Sequence, residues 1–437
     1  MNYKITSSAV AMAMALACVC SHALSASTPR EEIMADKMLS TANHRYYPEP
    51  DHTVKIAQAP KGYVPFHIST YARHGSRYLI SKSDYENALA PILSADKAGV
   101  LSPTGKIVKD RLLKIKSMAD EKRYGELTPG GAEQHRGIAR RMYSNFPEIF
   151  ADSVAVTARS TNVLRCVMSM MAECLELQSI NPTLKINHDA SEADMYKLND
   201  YRCADSLIRK YRHIINPYVD TFKARLDGNR LMSELYTDAD WVKKNIPDPH
   251  KKLWDFFYVA SNMQSHTDPD LDLMWVLTPE ECYQCWLVNN VQWYLTSGDS
   301  PLTGREMQYQ QANLLRDFIE DGDNYAKSRE QGATLRFGHE SIVLPTVVLM
   351  ELDDYDYVTD DIFTLSDNWA NYHIFPMAAN IQWVFYANPD APDSDILVRA
   401  LLNEKDVRLP VKSDIAPFYR WNDVSDYYKA KLTSHGR

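Results

Sequence analysis

Three times along this chain an apolar strand pattern runs into a short polar turn and then into a helical pattern. Each of the three turns carries residues that can hold an anion. In the first, Val64, Phe66 and Ile68 alternate with more polar neighbours and predict a strand over 64–71, which ends in Tyr71-Ala72-Arg73-His74-Gly75-Ser76-Arg77. In the second, the β-rich run Val154 to Ala158 leads into Arg159-Ser160-Thr161-Asn162, three possible helix caps in a row. Leu164, Met168, Met171 and Leu175 then predict the buried stripe of a helix that carries Arg165 in its first turn. In the third, Thr334-Leu335-Arg336-Phe337 precedes Gly338-His339-Glu340-Ser341, and the apolar run Ile342 to Met350 follows. Strand, turn and helix repeated in this way predict an α/β fold, with ligand chemistry where strands end.

The 437 residues are enough for two or three domains, and 45% hydrophobic with 24% charged residues is an ordinary globular balance. Between about 181 and 330 the character changes. Tryptophans gather at 241, 254, 275, 286 and 293, strand signals thin out, and Thr278-Pro279-Glu280-Glu281 is a capping box with proline at the first helical position. The expected fold is therefore a central mixed sheet flanked by helices, with an inserted, mostly α-helical domain. Its parts are residues 26–180, the insert 181–330, and 331–437. Residues 27–60 read as an extended lead-in. Thr128-Pro129 opens a further helix, with Ile138, Met142 and Phe146 on one face and the arginines at 136, 140 and 141 as a solvated face.

The first 25 residues read as a secretory signal: Lys4, a short apolar run from Ala9 to Val19, and small residues at Ser21-His22-Ala23 and Ala23-Leu24-Ser25. A lipoprotein leader with its anchor at Cys18 is the alternative. Either way the protein is expected to be exported, to periplasm or medium or in association with an outer membrane or vesicles, and no later segment is long enough to span a bilayer. Removing the leader takes away one lysine and no acid, so the net charge moves from −9 to −10. That acidity argues against nucleic acid as a partner. Cys282-Tyr283-Gln284-Cys285 lacks the second pair that zinc needs and reads as packing or a structural bridge.

The three turns together supply what phosphoryl transfer without a metal requires. His74 is a nucleophile, Arg73, Arg77 and Arg165 are forked donors for phosphate oxygens, His339 is a second imidazole, and Glu340 is a carboxyl to protonate the leaving oxygen. A histidine among arginines is a poor metal ligand, and no cofactor or metal is expected. Arg159 either joins the set or pairs with an acid and braces it.

These blocks resemble the histidine phosphatases of the acid phosphatase and phytase branch. Arg73-His74-Gly75-Ser76-Arg77 is similar to that family's R-H-G-x-R. Arg159-Ser160-Thr161-Asn162-Val163-Leu164-Arg165-Cys166-Val167-Met168-Ser169 is similar to its R-S-T-D-V-D-R-T-L-M-S, and Gly338-His339-Glu340 to its G-H-D. Leu127-Thr128-Pro129 through Gln134-His135 resembles its L-T-x-x-G-x-x-Q segment. The stretches 73–78 and 336–339 look most like multiple inositol polyphosphate phosphatases, which carry an H-A-E motif. Here Glu340 follows His339 directly, either in place of the aspartate or as a displaced glutamate. The resemblance implies an exported phosphomonoesterase acting on inositol polyphosphates such as phytate through a phosphohistidine, with Glu340 as proton donor. A broad acid or sugar phosphatase, or a surface phospholigand-binding protein without catalysis, are the alternatives. A basic pocket would favour phytate, with Lys197, Arg202, Arg209 and Arg212 as possible contributors.

Overall fold

The computed structural model describes residues 27–50 and 56–436. The leader and Cys18 lie outside these. Among the described residues the strands are β1 (Val64–Arg73), β2 (Ala155–Ser160), β3 (Lys185–Asp189), β4 (Gly332–Gly338), β5 (Asn380–Ala387), β6 (Leu397–Leu402), β7 (Lys405–Val407) and β8 (Tyr419–Arg420). They form one sheet in the order β3-β2-β4-β1-β5-β6-β7, with β8 on β6. β3, β2, β4 and β1 run parallel, whereas β5 is antiparallel to β1 and the later pairs are antiparallel too. The sheet is mixed, as expected.

Eight consecutive residues at the end of β1 are buried, because a central strand is covered on both faces. Its alternation splits the core. Ile68 and Ala72 pack with Ile138, Met142, Met170 and Leu177 from the helices Pro129–Asn145 and Leu164–Ile180. Tyr71 belongs to the opposite layer, with Phe318, Ile342, Trp383 and Trp421; Phe66 joins it although it is two residues from Ile68, because the pairing of β1 with β5 shifts register between Pro65 and His67. Between β3 and β4 the chain is helical, its longest pieces being Tyr201–Lys223, Pro249–Asn262, Pro279–Ser297 and Ala312–Ser328. The capping box at Thr278 is formed as read, and Thr128 caps its helix by accepting from Gly131 N.

Two local expectations need correction, and the cysteine pair resolves to the packing alternative. The helix after β2 begins at Leu164 with Val163 as N-cap and no side-chain cap. Its buried face is Cys166, Met170, Cys174 and Leu177, while Leu164, Met168 and Leu175 are exposed. Apolar residues occupy both faces of this helix, so periodicity alone could not choose between them. The lead-in is not extended either: Pro29–Ala35 is an α-helix and Lys37–His44 a 3-10 segment. Its start is a capping box of Thr28 and Glu31 with Pro29 at the first position, the same signal that Thr278 carries. Cys282 and Cys285 are buried thiols with no bridge between them, packed in the core of the helical region.

Candidate active site

The three polar turns meet because their strands are neighbours in one parallel set. Arg73 at the end of β1 pairs with Gly338 at the end of β4, and Phe337 of β4 pairs with Ser160 at the end of β2. Each turn therefore leaves the same edge of the sheet, the edge where α/β folds bind ligands.

The first turn is tied down at nearly every backbone group. Arg73 N donates to Ala379 O (2.7 Å) and His74 N to Gly338 O (2.9 Å). Gly75 N donates to Ser169 Oγ (3.0 Å) and Ser76 N to Gln134 Oε1 (2.8 Å). Ser76 O accepts from Thr128 N (2.9 Å), and Arg73 O accepts from His135 Nε2 (3.1 Å). Gly75 is required by close approach: a Cβ there would lie 2.2 Å from Gly131 O, and one on Gly131 would lie 2.2 Å from Ser76 O. The two backbones touch, which is why the Pro129-Gly130-Gly131 helix start is part of the site.

His74 is fully buried, and its Nδ1 lies 2.8 Å from Gly75 O. A carbonyl only accepts, so Nδ1 carries the hydrogen and Nε2 keeps its lone pair in the neutral ring. Burial, with Arg73 and Arg165 beside it, holds the imidazole well below its ordinary pKa despite the neighbouring Glu340. Arg73 is fully buried as well. Its Nη1 donates to the carbonyls of Asn43 (2.7 Å) and Phe375 (2.9 Å), and burial lowers its pKa to about 10. Arg77 Nη1 donates to Tyr78 O at 3.0 Å. Arg165 stands in the first turn of its helix, and its contact to Gly125 O is long, at 3.5 Å.

Glu340 opens the Glu340–Leu349 helix, and its carboxylate bridges the cluster. Oε2 lies 3.1 Å from Arg73 Nε and 3.4 Å from His74 Nε2, and Oε1 lies 3.9 Å from Arg77 Nη2. Burial pushes this carboxyl up, but Arg73 first, with Arg77 beside it, outweighs burial and holds it well below the usual range. The His339 ring meets that of His74 edge-on at 5.7 Å, and its Nε2 is 3.3 Å from Thr161 Oγ1. Burial, then Arg165, lowers His339 to about 4, so it is a neutral donor.

Buried polar atoms usually have partners. Here Arg73 Nη2, Arg77 Nε, Arg165 Nε and His74 Nε2 are buried without a hydrogen bond. The three guanidinium donors held together around the His74 lone pair are matched to an anion with several oxygens. The ligand atoms of His74, His339 and Glu340 do lie within 4.8 Å of one another, as a metal site would need, but the buried Arg73 guanidinium among them disfavours a cation.

Arg159 stands apart from the cluster, 3.9 Å from Asp194 and partly exposed. Lys197 pairs with Asp317, Arg202 lies against the Tyr201 ring, and Arg209 and Arg212 are exposed. Two groups escaped the sequence reading. His44 is buried. Its Nδ1 is 2.8 Å from Ser261 Oγ, its Nε2 has no partner, and burial, with Arg77 and Arg73 nearby, lowers it to about 3. It comes from the segment read as an extended lead-in, where no spacing marked it. His135 was visible in the Gln134-His135 pair, but its use was not: its Nδ1 lies 2.8 Å from buried Glu173 Oε2.

No protein-family model and no curated protein matches the sequence. Solved structures do match the fold. The multiple inositol polyphosphate phosphatase of Bifidobacterium longum in complex with inositol hexasulfate superposes with a TM-score of 0.74 at 19% identity, over 89% of this chain and 97% of that one. The phytase from D. castellii gives 0.63 at 16% identity, over 93% and 87%. The Hafnia alvei phytase in complex with myo-inositol hexakis sulphate gives 0.51 at 11%, over 85% and 98%. The chain is built on the fold of the multiple inositol polyphosphate phosphatases and phytases.

Proposed function

We propose that this chain is an exported phosphomonoesterase that dephosphorylates phosphorylated inositols through a phosphohistidine. The observation that carries the reading is His74: a buried neutral imidazole whose Nδ1 hydrogen is committed to Gly75 O, leaving the Nε2 lone pair among Arg73, Arg77 and Arg165. The solved relatives, named as phosphatases of inositol polyphosphates and as phytases, support the substrate class.

In this reading Nε2 attacks phosphorus. The N–P bond forms as the ester P–O bond breaks, while Arg73, Arg77, Arg165 and His339 hold the phosphate oxygens. The departing alkoxide takes its proton from Glu340. That carboxyl is ionised among the arginines, but an incoming phosphate dianion engages the same guanidiniums and raises its pKa. Glu340 then turns from its contact with Arg73 toward the leaving oxygen. In the second half a water attacks phosphorus, Glu340 accepts the proton, the N–P bond breaks and inorganic phosphate leaves.

The test is phosphate release by wild type and by His74→Ala. Wild type is expected to retain acid-labile 32P after an alkaline quench, and the variant to retain none and to lose turnover. Undiminished release by His74→Ala would remove the mechanism. Export rests on the N-terminal pattern, and no helix among the described residues is long and apolar enough to cross a membrane. Cell fractionation with sequencing of the mature N-terminus tests it; an unprocessed chain in the cytosol would overturn it.

A further inference from the structure

His44 stands in a segment that is tied to the phosphate cluster on both of its sides. It closes the Lys37–His44 segment two residues after Ala42, which is buried and turned to φ 46° and ψ −110°, a backbone region that alanine rarely adopts. The peptides after that kink hold the site. Asn43 O accepts from Arg73 Nη1 (2.7 Å). Arg45 O accepts from Met377 N (2.9 Å), and the next residue, Ala378, donates from its N to His74 O (3.0 Å). The end of the Pro249–Asn262 helix packs against the same segment. There the Tyr258 ring meets the His44 ring edge-on at 4.9 Å, and Asn262 Nδ2 donates to Arg77 O (3.1 Å).

Only one placement of the hydrogens fits these contacts. Ser261 Oγ donates its one hydrogen to Tyr258 O (2.9 Å), so it accepts from His44 Nδ1 at 2.8 Å. The neutral ring then presents a bare lone pair at Nε2. That atom is buried and without a partner, as is Oδ1 of Asn262, the residue next to Ser261. The charges that act on the ring are those of the cluster. Burial first, then Arg77 and Arg73, against Glu340, lower His44 to about 3, and burial raises the Tyr258 hydroxyl, so both groups are uncharged.

An acceptor is out of place beside an anion alone. The guanidiniums and His339 supply the donors that phosphoryl oxygens need, and the phosphoryl oxygens of an ester dianion carry no hydrogen to give in return. The water of the second half-reaction does carry one. As its oxygen bonds to phosphorus and the N–P bond to His74 breaks, one of its hydrogens goes to Glu340. The other stays on that oxygen and leaves as the hydroxyl of inorganic phosphate. We propose that His44 is a further residue of the active site, whose Nε2 accepts this second hydrogen, first from the attacking water and then from the phosphate product. No proton passes to His44. It orients the water, and it favours hydrogen phosphate over an anion of the same charge that has no hydrogen. This rests on the phosphatase reading of the cluster.

The experiment measures calorimetric binding of inorganic phosphate and of sulfate at about pH 8, where both are dianions and differ in that hydrogen. Wild type is expected to bind phosphate about tenfold more tightly than sulfate, and His44→Phe to bring the two within about twofold by weakening phosphate alone. His44→Gln, whose amide oxygen can accept, is expected to restore part of the difference. Equal weakening of both anions, or an unmoved ratio, overturns the proposal and leaves His44 as a brace for the arginines. A kinetic arm uses p-nitrophenyl phosphate. His44→Phe is expected to keep the burst of nitrophenol while turnover after it falls about tenfold and 32P accumulates on the protein. A burst slowed by the same factor as turnover overturns the assignment to the second half-reaction. Anion binding needs no turnover, so failure of the phosphohistidine reading, seen as absence of bound 32P in wild type, is separate from failure of the His44 contact, seen as an unmoved ratio.

Discussion

His135 donates from Nε2 to the backbone carbonyl of Arg73 at 3.1 Å, and its Nδ1 lies 2.8 Å from Glu173 Oε2. Both side chains are buried, so the residue beside His74 is held by a polar pair inside the helical layer. His135→Phe removes both contacts and leaves the Glu173 carboxylate buried alone, a change that costs about 3–5 kcal/mol. Adding Glu173→Leu removes that orphaned charge and is expected to recover most of the melting temperature. Turnover is expected to stay about a hundredfold down in both, because the carbonyl of Arg73 has lost its anchor. Recovery of kcat along with stability in the double variant would reduce His135 to a packing role.

In the proposed mechanism Glu340 has a role that depends on the leaving group. Glu340→Gln keeps the volume but cannot donate a proton. For an inositol phosphate, whose alkoxide is strongly basic, kcat is expected to fall about 10²–10³-fold. For p-nitrophenyl phosphate, whose phenolate leaves unprotonated, the first half-reaction is expected to fall less than about tenfold, read as the burst of nitrophenol. Equal losses on the two esters would assign Glu340 to binding alone.

Acid is expected to destabilise the fold. His67, His266 and His339 are held at about 4, and His44 at about 3, in each case by burial first. The unfolded chain binds these protons near pH 6.5, so between 6.5 and about 4 it holds more protons than the native state. Stability therefore falls as pH falls through that window, by about 1.4 kcal/mol per unit for each histidine. Melting temperature measured from pH 7 to 4 checks this. His67→Phe, away from the cluster, is expected to melt lower at pH 7 but with a shallower pH slope; an unchanged slope would count against the assignment.

Arg336 is a stability prediction. Buried in β4, it bonds Asp317 Oδ2 from Nε at 2.8 Å and Ser69 Oγ from Nη1 at 2.9 Å. Asp317 also pairs with Lys197, so one carboxylate joins the Ala312–Ser328 helix, the sheet and the short helix at Met195–Leu198. Asp317→Ala leaves a buried guanidinium short of its main partner and is expected to cost about 3–5 kcal/mol. Chemical denaturation measures it, and a loss below about 1 kcal/mol would mean that Asp321, which pairs with Arg336 Nη2, suffices alone.

The elements were legible where their signals are local. The proline and capping residues at 128–129 and 278–281 announced helices that form there, and the alternation at 64–68 announced β1. The Thr28–Glu31 box was equally legible, yet the polar, proline-bearing stretch around it reads as extended. The Leu164–Ile180 helix misled for a different reason. Its buried face includes polar Ser169 and Glu173, which hold Gly75 and His135, while apolar Leu164, Met168 and Leu175 face outward, so polarity does not mark the buried side.

By itself the sequence determined the chemistry available: an R-H-G-x-R turn, an arginine in a helix start, a histidine and a glutamate after a strand. Residue type and short spacing are local properties of the chain, and they sufficed to name His74, Arg165 and Glu340 together. Only the tertiary structure decided that Arg73 and Gly338 are partners in adjacent parallel strands, and that Glu340 bridges Arg73 and His74. The physical reason is that strand order and helix facing are settled by burial among residues hundreds of positions apart, and no local pattern encodes those contacts.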